Sequence, residues 1–136
     1  DSWALHEELL SNCVDLWNSL DIHYEIVNIC TGDMGTVAAK KYDLEAWIPG
    51  ADQYKEIVSC SNCTDYQANR LSIRYGQPGH PNQPIAHTLN STAVATSRAL
   101  VAIMEQNQLE DGRVRIPEVL QPFMGGQTIL EPCTWG

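Results

Sequence analysis

Two runs of alternating polarity constrain this chain most: Tyr42-Asp-Leu-Glu-Ala-Trp-Ile48 and Tyr54-Lys-Glu-Ile-Val-Ser59, separated by a stretch that opens with Pro49-Gly50. Successive side chains of a strand point to opposite faces, so alternation gives each run one apolar and one polar face. A Pro/Gly break between two such runs predicts an antiparallel pair. The apolar face has to be covered, and the flanking sequence offers helices to cover it.

Ser2 is the expected cap of the first helix, with Glu7 and Glu8 in its first turn, where a helix N-terminus favours negative charge. Leu9, Cys13, Leu16 or Trp17, and Leu20 then recur at spacings of three and four, and Asp21 ends the helix. Tyr24 to Ile29 is rich in β-branched residues and predicts a strand. Thr31-Gly-Asp-Met-Gly35 predicts a loop. Thr64 or Asp65 starts a short helix reaching about Ile73, and the three prolines and two glycines between Gly76 and Pro84 mark a surface loop. A last strand is expected from Ile85 to about Ala93, then a mostly apolar helix from about Thr96 to Asn107, its Ala99 to Met104 stretch being core packing. Pro117 to Met124 predicts a short helical tail. No repeat or linker divides the sequence, so the expectation is one α+β unit over residues 1–136, with antiparallel strands in one sheet and helices packed against it.

Composition excludes some functions. Hydrophobic residues make up 43% of the 136 residues, enough for a real core. Seventeen acidic residues stand against eight basic ones, a net charge of −9, which argues against gripping a nucleic-acid backbone with this surface alone. No apolar run approaches the roughly 18 residues that span a bilayer, and no secretory signal is visible. The Asn-x-Thr triplets at Asn62 and Asn90 are therefore read as chance. Five cysteines, an odd number, argue against a disulfide framework. Cys60-Ser-Asn-Cys63 is a lone CxxC, open to a zinc or redox reading but lacking a second close pair, so buried reduced thiols are the simpler expectation. The four histidines form no nucleophilic constellation.

Two segments carry candidate chemistry. In Tyr54-Lys-Glu-Ile-Val-Ser59, Glu56 and Ser59 offer a carboxylate and a hydroxyl able to hold a hard cation such as Mg²⁺. The same pair could equally be a surface Glu and a turn Ser. In His87-Thr-Leu-Asn-Ser-Thr-Ala-Val-Ala-Thr-Ser-Arg98, an extended run ends in small residues that let a flat ligand approach the backbone, and Arg98 beside that gap can stack on a ring or grip phosphate.

That second run, continued by Ala-Leu-Val-Ala-Ile-Met-Glu105, resembles motif 3 of the class II aminoacyl-tRNA synthetases. Its flanks narrow the resemblance to the seryl-tRNA synthetase family: Asn107-Gln, Asp111-Gly, Ile116-Pro-Glu-Val-Leu and Met124-Gly-Gly after it, and Glu56-Ile-Val-Ser-Cys-Ser-Asn62 with Cys63-Thr-Asp-Tyr-Gln-Ala-Asn-Arg70 before it. Thr31-Gly-Asp-Met-Gly35 and Lys40-Lys-Tyr-Asp-Leu-Glu-Ala-Trp47 match the family too and are read as scaffold, Asp33 being a candidate buried hydrogen-bonding residue. The resemblance covers residues 1 to 126, and its wording is closer to the archaeal or eukaryotic branch.

The resemblance implies a function. Glu56, Ile57, Val58, Ser59 and Arg98 would bind ATP, Glu56 and Ser59 reaching its Mg²⁺ and phosphates. Asn90 and Thr92 would surround the hydroxymethyl group of serine; selecting serine over alanine needs a hydrogen bond to that hydroxyl. Arg98 would pack on the adenine. The parent enzyme would convert serine and ATP to seryl-adenylate and transfer it to tRNA-Ser, as a cytoplasmic homodimer. The family's tRNA-binding arm, motif 1 and motif 2 have no counterpart in these 136 residues, which suits the C-terminal part of a catalytic domain. Motif 2 supplies the Arg for the α-phosphate, so no serine activation is expected of this polypeptide alone. The alternative is a non-catalytic paralogue acting as a binding or assembly subunit.

Overall fold

The computed structural model describes residues 1–133. Helix α1 (Ser2–Ser19) leads into strands β1 (Tyr24–Asn28), β2 (Lys40–Ile48) and β3 (Gln53–Asn62). Helix α2 (Tyr66–Leu71), strand β4 (Leu89–Ser91) and helix α3 (Thr96–Gln106) follow. The chain closes with a two-stranded ribbon, β5 (Val114–Arg115) and β6 (Ile129–Leu130), around a 3-10 stretch at Glu118–Met124. Strands β1 to β4 form one antiparallel sheet in sequence order. The expected α+β architecture and the β2–β3 pair are both present.

The core lies on one face of the sheet. Leu44, Ala46 and Ile48 of β2 and Ile57 and Val58 of β3 pack with Cys13 and Trp17 of α1, with Leu20 and Ile22 just after it, and with Ala99 and Ala102 of α3. Trp17 is fully buried, and its indole N–H donates to the Ala93 carbonyl at 3.1 Å, tying α1 to the segment between β4 and α3. At its start α1 is tied to the same sheet edge: Ser2 Oγ and His87 Nδ1 lie 2.7 Å apart, and the Asn62 amide donates to the Ser2 carbonyl at 3.1 Å. Asn62 is fully buried, so the first Asn-x-Thr triplet is closed to modification in the folded chain.

Strand β3 carries a bulge. Leu44 faces Val58, yet the next residue of β2, Glu45, faces Glu56. Ile57 is therefore one residue more than the ladder needs, the two-against-one arrangement of a β-bulge. Ile57 and Val58 are both buried, so a strand that alternates elsewhere places two consecutive side chains in the core.

Several local expectations change. Asp1, not Ser2, caps α1, its carboxylate accepting the Trp3 N–H at 3.0 Å. Glu7 and Glu8 lie beyond the first turn with either cap, and Glu7 pairs with Lys40 at 2.7 Å instead. The strand expected from Ile85 to about Ala93 is only Leu89–Ser91. Its partner β3 ends at Asn62, and Thr88 bonds to Cys63 and Thr64 instead. Helix α2 stops at Leu71, where Ser72 adopts a left-handed conformation. Asp33 is exposed rather than buried, only its backbone N–H being engaged, with the Cys30 carbonyl. Helix α3 is not core throughout: it packs through small residues, Ala99 and Ala102, while Leu100, Val101 and Met104 are exposed. The β5–β6 ribbon has no counterpart in the sequence expectations, because two-residue strands carry too little alternation to read.

Candidate active site

The sheet face away from the core collects the candidate residues, and the bulge is the reason. In a regular strand, residues three apart point to opposite faces. The extra residue at Ile57 moves Glu56 and Ser59 to the same face: Glu56 pairs with Glu45, and Ser59 with Asp43, two residues along β2. Ser61 follows Ser59 on that face and is paired with Asn90 of β4. Thr92 comes next to Ser59, its N–H donating to the Ser59 carbonyl at 3.0 Å. Asn90 and Thr92, two apart, thus stand on the face that carries Glu56 and Ser59. Ile57 and Val58, expected to share in ligand binding, turn their side chains into the core and leave only backbone available.

Arg98 arrives from α3. Its Nη1 donates to the Glu56 carbonyl at 2.6 Å and lies 3.6 Å from the Glu56 carboxylate. Both side chains are about half exposed, so this ion pair adds little to stability. A cleft of about 580 Å³ opens beside the contact, lined by Ile48, Lys55, Glu56, Ser97, Arg98 and Val101. One face thus holds a carboxylate, a hydroxyl and two polar side chains, with a guanidinium at the rim.

Residues read as scaffold share this face. Glu25, Glu45 and Glu56 form a cross-strand row over β1, β2 and β3. Burial, chiefly, pushes the Glu45 carboxyl above its usual range, and Glu25, Asp43 and Glu56 add repulsion. A carboxyl with a higher pKa folded than unfolded costs stability while ionised, and the cost fades as pH falls through the folded pKa. Glu45→Gln is therefore expected to raise the melting temperature near pH 7 and to lose that advantage by about pH 4, where free Glu is itself protonated. An unchanged melting temperature near pH 7 refutes the repulsion. Asp43 and Lys41 pair at 3.1 Å on the same face. The signal for these neighbours was in the strand pattern: Lys41, Asp43 and Glu45 are the polar half of the β2 alternation.

Among the described residues no group of three or more His, Cys, Asp or Glu is gathered for a metal ion. Cys60 and Cys63 have separate surroundings. Cys60 lies against the His6 carbonyl at 3.9 Å, while Cys63 accepts from the Asn90 amide at 3.7 Å. Burial raises the Cys60 thiol pKa, which disfavours the thiolate needed for metal binding or redox attack. For Mg²⁺ the donor types fit: it needs only one or two protein oxygens when phosphates and waters complete its shell, and Glu56 and Ser59 could provide them. His87, at the start of the motif run, is engaged by Ser2 and lies off the site. No helix among the described residues is long and apolar enough to cross a membrane.

Comparison with known proteins identifies the family. The chain is 57% identical over 131 residues to the serine–tRNA ligase of Methanospirillum hungatei, which covers 96% of this chain and 31% of that protein. It is 60% identical over 124 residues to that of Archaeoglobus fulgidus, covering 90% of this chain and 27% of the relative. The crystal structure of Pyrococcus horikoshii seryl-tRNA synthetase complexed with ATP superposes with a TM-score of 0.92 at 53% identity, over 98% of this chain and 30% of that one. The cytoplasmic serine–tRNA ligase of Naegleria fowleri in complex with AMP gives 0.88 at 49% identity, over 94% and 30%. The chain thus spans about three-tenths of the length of the curated relatives it matches. The model of the tRNA synthetase class II core domain (G, H, P, S and T) matches residues 1–107, and the chain belongs to that family.

Proposed function

We propose that this chain forms the motif 3 side of the catalytic site of a serine–tRNA ligase. In the whole protein, serine and ATP become seryl-adenylate and pyrophosphate, and the seryl group then passes to the 3′ end of tRNA-Ser. The observation that carries the proposal is the convergence of Glu56, Ser59, Asn90 and Thr92 on one sheet face, with Arg98 at its rim. Scaffold residues have no need of a bulge that turns a carboxylate and a hydroxyl the same way, and a non-catalytic paralogue has no need of all five.

Each residue has a role in this reading. Glu56 and Ser59 would hold Mg²⁺ through oxygen, and the ion would supply charge neutralisation of the ATP phosphates. Arg98 holds the adenine end by stacking, as a planar guanidinium does on an aromatic ring. Thr92 and Asn90 hydrogen-bond the serine hydroxyl, so that alanine leaves them unpaired. The net charge of −9 suits a segment that leaves tRNA contact to other parts of the protein. We place the whole protein in the cytoplasm as a homodimer.

The test is serine-dependent exchange of pyrophosphate into ATP by the whole protein. Glu56→Gln removes the charge and keeps the shape. It is expected to lower exchange about 10–100-fold at low Mg²⁺, with partial recovery as Mg²⁺ is raised, in line with losses at metal-ligand shells. Unchanged exchange and an unchanged Mg²⁺ requirement remove Glu56 from the site.

A further inference from the structure

Asp43 is a buried carboxylate with an oxygen to spare. Its side chain is only 5% exposed, and Oδ2 is held by Lys41 Nζ at 3.1 Å. Oδ1 is fully buried and has no hydrogen-bond partner among the described residues. Buried polar atoms are nearly always satisfied, and an exception calls for an explanation. The register supplies one. Asp43 stands directly opposite Ser59 on the face that carries Glu56 and Thr92, and opposed side chains in an antiparallel pair have Cβ atoms about 4.5–5.5 Å apart. Ser59 is half-buried, and its carbonyl is engaged by the Thr92 N–H.

A hydroxyl that ligates a cation uses an oxygen lone pair, so its proton has to point elsewhere, to an acceptor. Groups that orient a ligand in this way tune metal sites strongly. We propose that Asp43 is a positioning residue for Ser59: when cation and nucleotide bind, the Ser59 hydroxyl turns its proton to Oδ1, which is unpartnered in this structure, and its oxygen lone pairs face outward, toward cation and phosphate. Lys41 holds the carboxylate by its other oxygen, which leaves Oδ1 free for the Ser59 hydroxyl. The inference rests on Glu56 and Ser59 being ligands to the ATP-bound cation, and it adds a residue that touches neither cation nor nucleotide.

The experiment is a double-mutant cycle in the full-length ligase, read as Mn²⁺ affinity by electron paramagnetic resonance in the presence of a non-hydrolysable ATP analogue. Asp43→Asn is expected to weaken Mn²⁺ binding about tenfold, the lower end for residues behind a metal ligand. Ser59→Ala is expected to weaken it at least as much, and the double variant no more than Ser59→Ala alone. Asp43→Glu keeps the charge for Lys41 but displaces the oxygen. It is expected to weaken binding too, which covers the case of an Asn variant that folds poorly. Three results overturn the inference: wild-type affinity in Asp43→Glu, wild-type affinity in Asp43→Asn beside a weakened Ser59→Ala, or an equal Asp43→Asn effect with and without Ser59. The first two leave the ligand role of Ser59 standing. Wild-type affinity in Ser59→Ala removes that role and the inference together.

Discussion

Replacing Arg98 with Ala in the whole protein is expected to lower serine-dependent pyrophosphate exchange by about 10²–10³-fold, the usual loss when one preorganised charged group leaves a reaction site. The side chain is half exposed, and its contacts in the structure are the Glu56 carbonyl and carboxylate. Its removal therefore costs little stability, and circular dichroism of the variant is expected to match the wild type. The loss falls on the chemistry. Arg98→Lys is expected to rescue poorly, because an ammonium is a point charge without the flat, forked surface that stacks on a ring and donates in two directions. Exchange within a few-fold of wild type in Arg98→Ala removes the guanidinium from the site. Full rescue by Lys leaves only its charge in the role.

Trp17→Ala is expected to be the most damaging single change to the fold. The side chain is fully buried in the core cluster that includes Leu20, Leu44, Ala46 and Val58, and truncating a buried aromatic costs about 3–5 kcal/mol. Against the 5–15 kcal/mol that separates most folded domains from the unfolded chain, that is a large share. The change also frees the Ala93 carbonyl, one residue past Thr92. Urea denaturation of the whole protein measures the first effect, as a lower midpoint. The second is expected as a raised KM for serine in the population that remains folded. Trp17→Phe restores most of the packing without the hydrogen bond, so its midpoint lies between the two. A midpoint for Trp17→Ala within about 1 kcal/mol of wild type contradicts the packing described, since losses that small belong to surface positions.

The sequence was most legible where one periodicity ran long enough to count. Helix α1, strand β2 and helix α3 fall close to their expected spans because apolar spacing and Pro/Gly breaks agree there. The shortest strands were less legible: β4 lies inside a strand expected to run much longer, and β5 and β6, which were not expected, owe their existence to pairing with each other across a long loop. Of the proposed site residues, Arg98 and Thr92 stand in the motif run and Glu56 in the strand segment before it, whereas Asp43 and Glu45 were passed over as scaffold. Their position shows only when β2 is laid against β3. The bulge itself had a signal: Ile57-Val58 is a pair of consecutive apolar residues in an alternating strand. Consecutive apolar residues also suit a strand buried on both faces, so the pattern alone does not choose between the two. Helix α3 misled because apolar composition was taken for burial; alanines let it lie close to the sheet while its larger side chains point away.

The extra residue in β3 also decides what kinds of change this stretch of gene can absorb. Ile57 and Val58 contribute side chains to the core and nothing but backbone to the opposite face, so one branched aliphatic there can replace another at small cost. A codon gained or lost between Glu56 and Ser59 is a different matter. It inverts one of the two relative to the other, since every step along a strand exchanges its faces. The segment therefore holds its count of residues more tightly than their identity: spelling can drift there, while length cannot.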